Sequence, residues 1–200
     1  MKKSVGTLLA LVVTLTVPAT TTHYVADKNH STVGFHVPIL GFGKVSGKFT
    51  EFEIAITHDE KDVAKSSVKV SIKAGSVNTG IADRDKHLRA ADFFDAEKFP
   101  EITFESPRVE ALKDGTFVAH GVFKMRGVEK RISLPFRMKV HGPREPGGAS
   151  SLGIVARMTL NRREFGINWT HNAVPDFVGD EIEVDLAITT RLGKREAAKQ

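Results

Sequence analysis

The segment 131-RISLPFRMKV-140 decides the fold class of this chain. Its apolar side chains occupy alternate positions and therefore share one face of an extended strand: Ile132, Leu134, Phe136, Met138 and Val140. Most residues between them are charged or polar, so the opposite face of the strand is expected to meet water. Pro135 lies on that outer face and has no backbone N–H, which predicts a strand that lies at a sheet edge or bends there.

The same alternation recurs along the chain at 32–37, 44–57, 67–73, 102–109, 117–125, 151–161 and 181–190. One apolar face per strand is typical of antiparallel sheets, whereas parallel sheets covered on both faces have near-continuous apolar strands. The pattern predicts an all-β fold, an antiparallel eight-stranded barrel with one short α-helix. A β-sandwich would give much the same pattern. Between Phe49 and Phe52 the alternation slips by one residue, which predicts a β-bulge.

Thr79–Ser106, TGIADRDKHLRAADFFDAEKFPEITFES, is the longest stretch that does not read as strand. Its first half is mostly charged and its second half carries three phenylalanines before Pro100, which predicts a short helix followed by an aromatic plug at one end of the barrel. Asp83 and His87 are four residues apart and share a helix face. Because no third ligand is near them in the sequence, a surface ion pair is favoured over a metal site.

The composition indicates one exported domain. Residues 1–19 join two lysines to an apolar run and then to small residues, the pattern of a secretory signal peptide. We therefore expect a periplasmic or secreted protein with a barrel domain at 20–191 and a charged tail at 192–200. Cysteine is absent, which excludes disulfides, thiolate metal sites and a cysteine nucleophile. The net charge is +5, but the basic residues form no stripe with interleaved aromatics, so nucleic acid is not an expected partner.

The inward faces of the predicted strands suggest an apolar cavity. The chain has 13 Phe against one Tyr and one Trp, and phenylalanine has no polar group that needs a partner when buried. Small residues occupy inward positions where a filled barrel would need bulk: Gly47, Ala119, Gly121 and Ala156. The alternative is that these residues interdigitate in an ordinary filled core.

Several stretches resemble the YceI-like family. They are 30-HSTVGFHVPILGFGKVSGKF-49, 83-DRDKHLRAADFFDAEKFPEITFES-106, 120-HGVFKMRGVEKRISLPF-136, 161-NRREFGINW-169 and 178-VGDEIEVDL-186. The resemblance extends over residues 24–191. It implies an exported bacterial protein with a lipocalin-like antiparallel barrel that holds a polyisoprenoid or another long amphiphile. It supplies no catalytic residue.

The resemblance and the strand parity together predict a carrier, store or sequestering protein for a long-chain lipid or isoprenoid. The predicted cavity lining is Phe35, Val37, Phe49, Phe93, Phe104, Phe123, Met125, Leu134, Phe136, Met158, Phe165 and Trp169. The head-group candidates at the mouth are Arg84, Arg89, Arg162 and Arg163. No metal or cofactor is expected, apart from a bound isoprenoid lipid or quinone-like amphiphile.

Two other functions stay open from the sequence. One is an enzyme acting on a lipid or small apolar substrate, which predicts polar groups converging inside the cavity. The other is an interaction module with a filled core, which predicts no cavity. Transient membrane contact is expected for a lipid carrier, and the oligomeric state stays open, with a homodimer among the alternatives.

Overall fold

The computed structural model describes residues 21–142 and 150–193. The strands are β1 (Thr21–Ala26), β2 (Thr32–Ile39), β3 (Gly43–Phe49), β4 (Phe52–Asp59), β5 (Ser67–Lys73), β6 (Val77–Asn78), β7 (Glu101–Ala111), β8 (Phe117–Met125), β9 (Val128–His141), β10 (Ser151–Asn161) and β11 (Glu181–Leu192), and the helix α1 is Ala82–Arg89. The predicted signal peptide, 1–19, lies outside the described residues, as does the predicted tail after residue 193.

The strands form a closed antiparallel barrel of eight. Three of the eight are interrupted once and consist of the pairs β1 and β2, β3 and β4, and β5 and β6. Each of these eight strands pairs with the next one along the chain, and β11 closes the ring by pairing with β2 and β1. The closing register places Tyr24 opposite Leu192 and Ala26 opposite Thr190. The predicted all-β antiparallel barrel with one short α-helix is confirmed, and the sandwich is excluded because the sheet has closed on itself.

The irregularity predicted between Phe49 and Phe52 is a break between β3 and β4. Thr50 and Glu51 leave the ladder, and their backbone N–H groups donate to the carbonyl oxygen and the hydroxyl of Ser76, at 3.1 and 3.0 Å. A register shift of the bulge type lies elsewhere, in β7 between Glu105 and Arg108. The chain thus turns this corner with side-chain and backbone bonds to the turn at Ala74–Ser76.

The sequence of Tyr24–Ser31 is polar and turn-prone and does not indicate a strand, but its first residues belong to one. Thr21–Ala26 forms β1, which pairs with β4 on one side and with β11 on the other. Tyr24 and Ala26 are buried, and the Tyr24 hydroxyl lies 2.7 Å from Ser150 Oγ. Only two apolar side chains point inward from this strand, which is too few for alternation to stand out in the sequence.

The segments outside the sheet that border the cavity lie at one end of the barrel. The β2–β3 hairpin, the helix α1 with the segment after it, and residues 162–180 lie at this end, which we call the helix end. Arg162–Phe165 and Pro175–Phe177 are short 3-10 turns within the last of these segments. In the described parts of the chain, none of the helices has the length and apolar character needed to cross a bilayer.

The wall between β9 and β10 is paired over only part of its height. The ladder runs from His141 opposite Ser151 to Phe136 opposite Ala156 and stops there. Both strands continue towards the helix end, where β9 keeps its pairing with β8 and β10 keeps its pairing with β11. The prediction that Pro135 marks an edge or a bend is confirmed, because Pro135 is the first residue of β9 beyond the ladder.

Candidate ligand-binding cavity

The half of the barrel nearest the helix end encloses a cavity of about 400 Å³. Most of its lining is aliphatic or aromatic and comes from nearly every wall strand. The contributing apolar residues include Val33, Ile39, Val45, Ile54, Val70, Ile72, Phe94, Ile102, Ile132, Leu160, Ile167, Phe177, Val178, Ile182, Val184 and Leu186. The polar side chains among the described lining residues are Thr79, Arg84, His87 and Arg162, with the indole of Trp169. Four of the five lie in the segments of the helix end, and Thr79 lies between β6 and α1.

The structure places ten of the twelve residues that were predicted to line the cavity around it. They are Phe35, Val37, Phe49, Phe93, Phe104, Phe123, Met125, Leu134, Met158 and Trp169. Phe136 lies in the filled half, where its ring stacks on Phe117 with centroids 5.5 Å apart. Phe165 is buried within the 162–180 segment and packs edge-on against Phe123, with the ring centroids 5.4 Å apart. Both side chains point inward but lie outside the cavity lining.

The small inward residues do not create the cavity. A Cβ added to Gly47 would lie 2.3 Å from the Phe35 ring, and one added to Gly121 would lie 2.3 Å from the carbonyl oxygen of Glu105. Ala119 and Ala156 belong to the filled half, where they pack with Phe104, Val109 and Phe136. Gly47 and Gly121 are small because an aromatic ring or a backbone bulge occupies the space beside them. The cavity exists, but the prediction that small inward residues make room for it was wrong.

Residues of the helix end cover the cavity. Leu88 of α1 and the two rings that follow it, Phe93 and Phe94, line the cavity, and Phe94 meets Phe49 of the wall at 5.4 Å. Phe93 lies 5.4 Å from Trp169, which joins the plug to the 162–180 segment. The predicted helix and aromatic plug therefore lie over the barrel interior.

Arg84 lines the cavity and has no ion-pair partner among the described residues. Its Nε donates to Thr79 Oγ1 at 2.7 Å, and its Nη2 donates to the Thr79 carbonyl oxygen at 3.0 Å. The Thr79 hydroxyl in turn donates to the buried Asp85 carboxylate at 2.6 Å, which fixes its orientation. Within the described residues Nη1 makes no hydrogen bond, and no carboxylate lies within ion-pair distance of Arg84. The group is therefore oriented and still has N–H donors to offer.

Arg162 also lines the cavity, but its donors are committed to the fold. The side chain is buried, 4% exposed, and its three nitrogens donate to four backbone carbonyl oxygens, those of Ile167, Trp169, Val178 and Gly179, at 2.9–3.3 Å. Asp180 Oδ1 lies 2.8 Å from Nη2 at an angle too bent for a hydrogen bond. Burial lowers the pKa of the Arg162 guanidinium and the Asp180 charge opposes this. Arg162 thus holds residues 167–180 in place.

The other two head-group candidates lie outside the cavity. Arg89 donates to the carbonyl oxygens of Gly75 and Val77 at 2.7 and 3.2 Å and ties α1 to the wall. Arg163 pairs with the second oxygen of Asp180 at 2.6 Å on the surface. Of the four arginines, Arg84 alone combines a place in the lining with free donors.

His87 pairs with Asp92, so the expected ion pair with Asp83 was wrong. Its Nε2 lies 3.3 Å from Asp92 Oδ2, and its ring packs edge-on against Phe93 and Trp169 at 4.9 and 5.6 Å. The loop after α1 turns back over the helix, which brings Asp92 closer to the ring than the helix neighbour. Residues 21–142 and 150–193 contain no group of three metal-ligating side chains.

A row of serine, histidine and glutamate lies on the outer wall. Ser133 Oγ is 2.9 Å from His120 Nδ1, and His120 Nε2 is 2.9 Å from Glu110. The connectivity is that of a nucleophile relay, but the row faces away from the cavity that Ile132 and Leu134 line. Cross-strand polar pairs of this kind stabilise a sheet face. The row cannot act on a molecule held inside the barrel.

Comparison with known sequences gives the family. A sequence model of the YceI-like domain matches residues 24–190. This chain belongs to the YceI-like family. A UPF0312 protein from Vibrio campbellii is 34% identical over 170 residues, 84% of this chain and 89% of that protein. A UPF0312 protein from Pseudomonas aeruginosa is 36% identical over 146 residues, 72% of this chain and 75% of that protein. The family resemblance seen in the sequence is confirmed.

Solved structures show the same barrel. A YceI protein from Campylobacter jejuni is 27% identical and superposes with a TM-score of 0.68, over 84% of this YceI-like chain and 96% of that chain. A domain from Saccharophagus degradans, described as polyisoprenoid binding and implicated in plant cell wall breakdown, is 13% identical and has a TM-score of 0.63 over 85% and 98% of the two chains. At that identity the second comparison shows a shared fold.

Proposed function

We propose that this YceI-like protein binds a long-chain, isoprenoid-like amphiphile and acts as a periplasmic or secreted carrier, store or sequestering protein for it. The observation that carries the proposal is the cavity of about 400 Å³ whose apolar lining is interrupted by polar groups only at the helix end. Ligand sites in proteins have volumes of roughly 300–1,000 Å³ and combine apolar walls with a few placed polar groups. The polyisoprenoid binding described for the Saccharophagus degradans domain supports the choice of ligand class.

The driving force is the transfer of apolar chain from water to a dry interior. Each buried methylene contributes about 0.8 kcal/mol, and ordering the chain offsets part of this gain. The lining offers methyl groups and rings such as those of Val70, Ile102 and Phe123, with no hydrogen-bonding group along the walls. We therefore infer loose specificity along the tail, so that affinity follows buried length more than branching.

The head group belongs at Arg84. A phosphate, carboxylate or quinone oxygen near the helix end would meet the free Nη1 of Arg84 and a guanidinium already oriented by Thr79. Arg162 has no comparable free donor because four carbonyl oxygens use its N–H groups. The ligand is thus held with its tail towards the filled half and its polar end beneath α1.

A chain-length series tests the proposal. We expect the affinity for single-chain polyprenyl phosphates, measured by isothermal calorimetry, to rise with each added isoprene unit and to reach a plateau once the cavity is filled. Affinity that does not depend on chain length, or an absence of binding at every length, would contradict it. Octyl glucoside at the same concentration serves as a control for non-specific detergent uptake.

Arg84→Gln should weaken phosphate-headed ligands selectively. A hydrogen bond to a charged group contributes about 1.5–3 kcal/mol, so we expect a loss of about ten- to a hundredfold in affinity for a polyprenyl phosphate. The affinity for the corresponding polyprenol should change much less, because an alcohol is uncharged. Arg137→Gln on the exposed outer wall is the matched control, and equal losses for both head groups would refute the assignment of Arg84.

A further inference from the structure

The partial pairing of β9 and β10 leaves a seam in the barrel wall. Beyond Phe136 and Ala156 the described residues of the two strands have no partners in each other, although both strands stay extended. The seam lies between residues 128–135 of β9 and 157–161 of β10. Intact ladders flank it on both sides, β8 with β9 and β10 with β11. Each strand is therefore fixed by its outer neighbour, and the seam is not a frayed end.

Pro135 explains where the ladder stops. The backbone N–H of Leu152 points towards β11, since it donates to Thr190 Oγ1 at 2.8 Å. Because successive residues of a strand point their N–H groups to opposite sides, Val155 and Arg157 point theirs towards β9. The register places Arg157 opposite Pro135, one step beyond the pair of Phe136 and Ala156. That step requires an N–H from residue 135, which proline lacks.

The seam coincides with the cavity. Ile132 and Leu134 on one edge and Met158 and Leu160 on the other all line the cavity and are half-buried. Below the seam, where the ladder is intact, the inward residues Phe136 and Ala156 belong to the filled half. The unpaired wall is therefore the wall beside the empty space.

One ion pair bridges the two sides of the seam near the helix end. Lys130 of β9 lies 2.7 Å from Glu164, which follows β10, and its ammonium also lies 5.6 Å from the centroid of the Phe165 ring. The two charged side chains are 35% and 54% exposed, and exposed pairs of this kind contribute about 0–1 kcal/mol. Among the described residues, the two sides are thus joined near the helix end by this weak ion pair and by the Arg126 guanidinium of the β8–β9 turn, which donates to the Gly166 carbonyl oxygen. The paired walls have a ladder of backbone hydrogen bonds instead.

We propose that this seam is a side opening through which the apolar chain of the ligand passes into and out of the cavity, with Lys130 and Glu164 as its latch; this rests on the proposed function. Between the paired strands of the wall the passage of a chain would break backbone hydrogen bonds of the ladder, and beside β6, which pairs only with β3, it would displace α1 and its Arg89 contacts. At the helix end it would displace the aromatic plug and the segment that Arg162 holds. At the seam the strands can separate without breaking a ladder and without displacing the aromatic plug.

Cross-linking the seam tests this directly, because the chain has no cysteine of its own. Ser133 and Thr159 face each other across the seam in the continued register, and both side chains are exposed. The double variant Ser133→Cys/Thr159→Cys should, when oxidised, take up an NBD-labelled stearate at least about tenfold more slowly in stopped-flow fluorescence, and reduction should restore the rate. The matched control is Arg137→Cys/Val155→Cys, a pair four residues away along each strand in the intact ladder, which should exchange at the wild-type rate in both redox states.

Removing the latch gives a second measurement that does not depend on disulfide formation. Lys130→Gln should speed uptake about two- to fivefold, the factor that corresponds to a surface ion pair. Lys124→Gln, which breaks the neighbouring surface pair with Glu129, should not. Wild-type uptake rates in Lys130→Gln, or an oxidised seam variant that loads as fast as its reduced form, would overturn the opening while leaving the proposed function intact. No uptake of the probe by the wild-type protein at any concentration would overturn both.

Discussion

Replacing Arg162 with leucine should lower the free energy of unfolding by about 3–5 kcal/mol, the range for loss of a buried charged partner. The side chain is buried and supplies hydrogen bonds to four carbonyl oxygens between Ile167 and Gly179. Leucine fills part of the space but leaves those oxygens without donors, and each unpaired buried acceptor costs about 1–3 kcal/mol. We expect the 167–180 segment to detach from the barrel, with loss of ligand retention.

The neighbouring residue provides the control. Arg163→Leu removes the other arginine that pairs with Asp180, but this pair is exposed and should contribute less than about 1 kcal/mol. Urea unfolding of both variants measures the difference, and hydrogen exchange at residues 167–180 reports on the segment. Equal destabilisation by the two substitutions would show that Arg162 does not hold the segment.

Val184→Trp should abolish most ligand binding while the barrel still folds. Val184 lies on β11 between Met158 and Phe35 in the register, lines the cavity and is half-buried, so an indole at this position extends into empty space. If the ring displaces about four methylenes of the ligand, the loss is about 3 kcal/mol, or roughly a hundredfold in affinity. The free energy of unfolding should hold or rise, since the ring fills a void without displacing packed atoms.

Val155→Trp is the matched control for this substitution. Val155 lies on the outer face of β10, 55% exposed, so its replacement adds the same ring to the surface. Ligand affinity by calorimetry and melting temperature by circular dichroism separate the two effects. Val184→Trp that is stable and binds as tightly as the wild type would contradict the position of the ligand in this cavity.

The sequence was enough to predict antiparallel strands with one apolar face each, because alternation depends on the strand itself, and the family resemblance favoured a barrel over a sandwich. Strands such as β9 and β11 present one apolar face regardless of their neighbours, and eight such faces can only be buried by closing or stacking the sheet. Pro135 was informative for the same reason, since a missing N–H limits pairing in any context. The strand β1 was missed because only Tyr24 and Ala26 point inward from it.

The extent of the cavity could not be predicted from parity. Phe104 and Phe136 both point inward, but Phe104 borders the cavity whereas Phe136 stacks on Phe117 in the filled half. Parity assigns a face and says nothing about height along the barrel axis. The prediction of a cavity from the small inward residues was wrong for a related reason, because the Phe35 ring lies across Gly47 and fills the space that the missing side chain leaves.

The roles of the arginines depended on tertiary contacts. Arg84 and Arg162 both reach the cavity, and the sequence alone gives them equal standing as head-group ligands. They differ because residues 167–180, which have no periodic pattern, fold back and present carbonyl oxygens to Arg162. The lining residues Ile167 and Phe177 come from the same segment and could not be predicted, whereas Leu160, Ile182 and Leu186 follow strand parity and could have been.

The proposed function requires the cavity to hold a long apolar amphiphile. Native mass spectrometry of the protein purified without detergent from its own host, followed by organic extraction and lipid analysis, tests this most directly. We expect an added mass on the intact protein that is absent after extraction and matches a single-chain isoprenoid-like lipid, and a smaller loaded fraction in Val184→Trp. A wild-type protein that carries no added mass and takes up no long-chain amphiphile when incubated with one would contradict it.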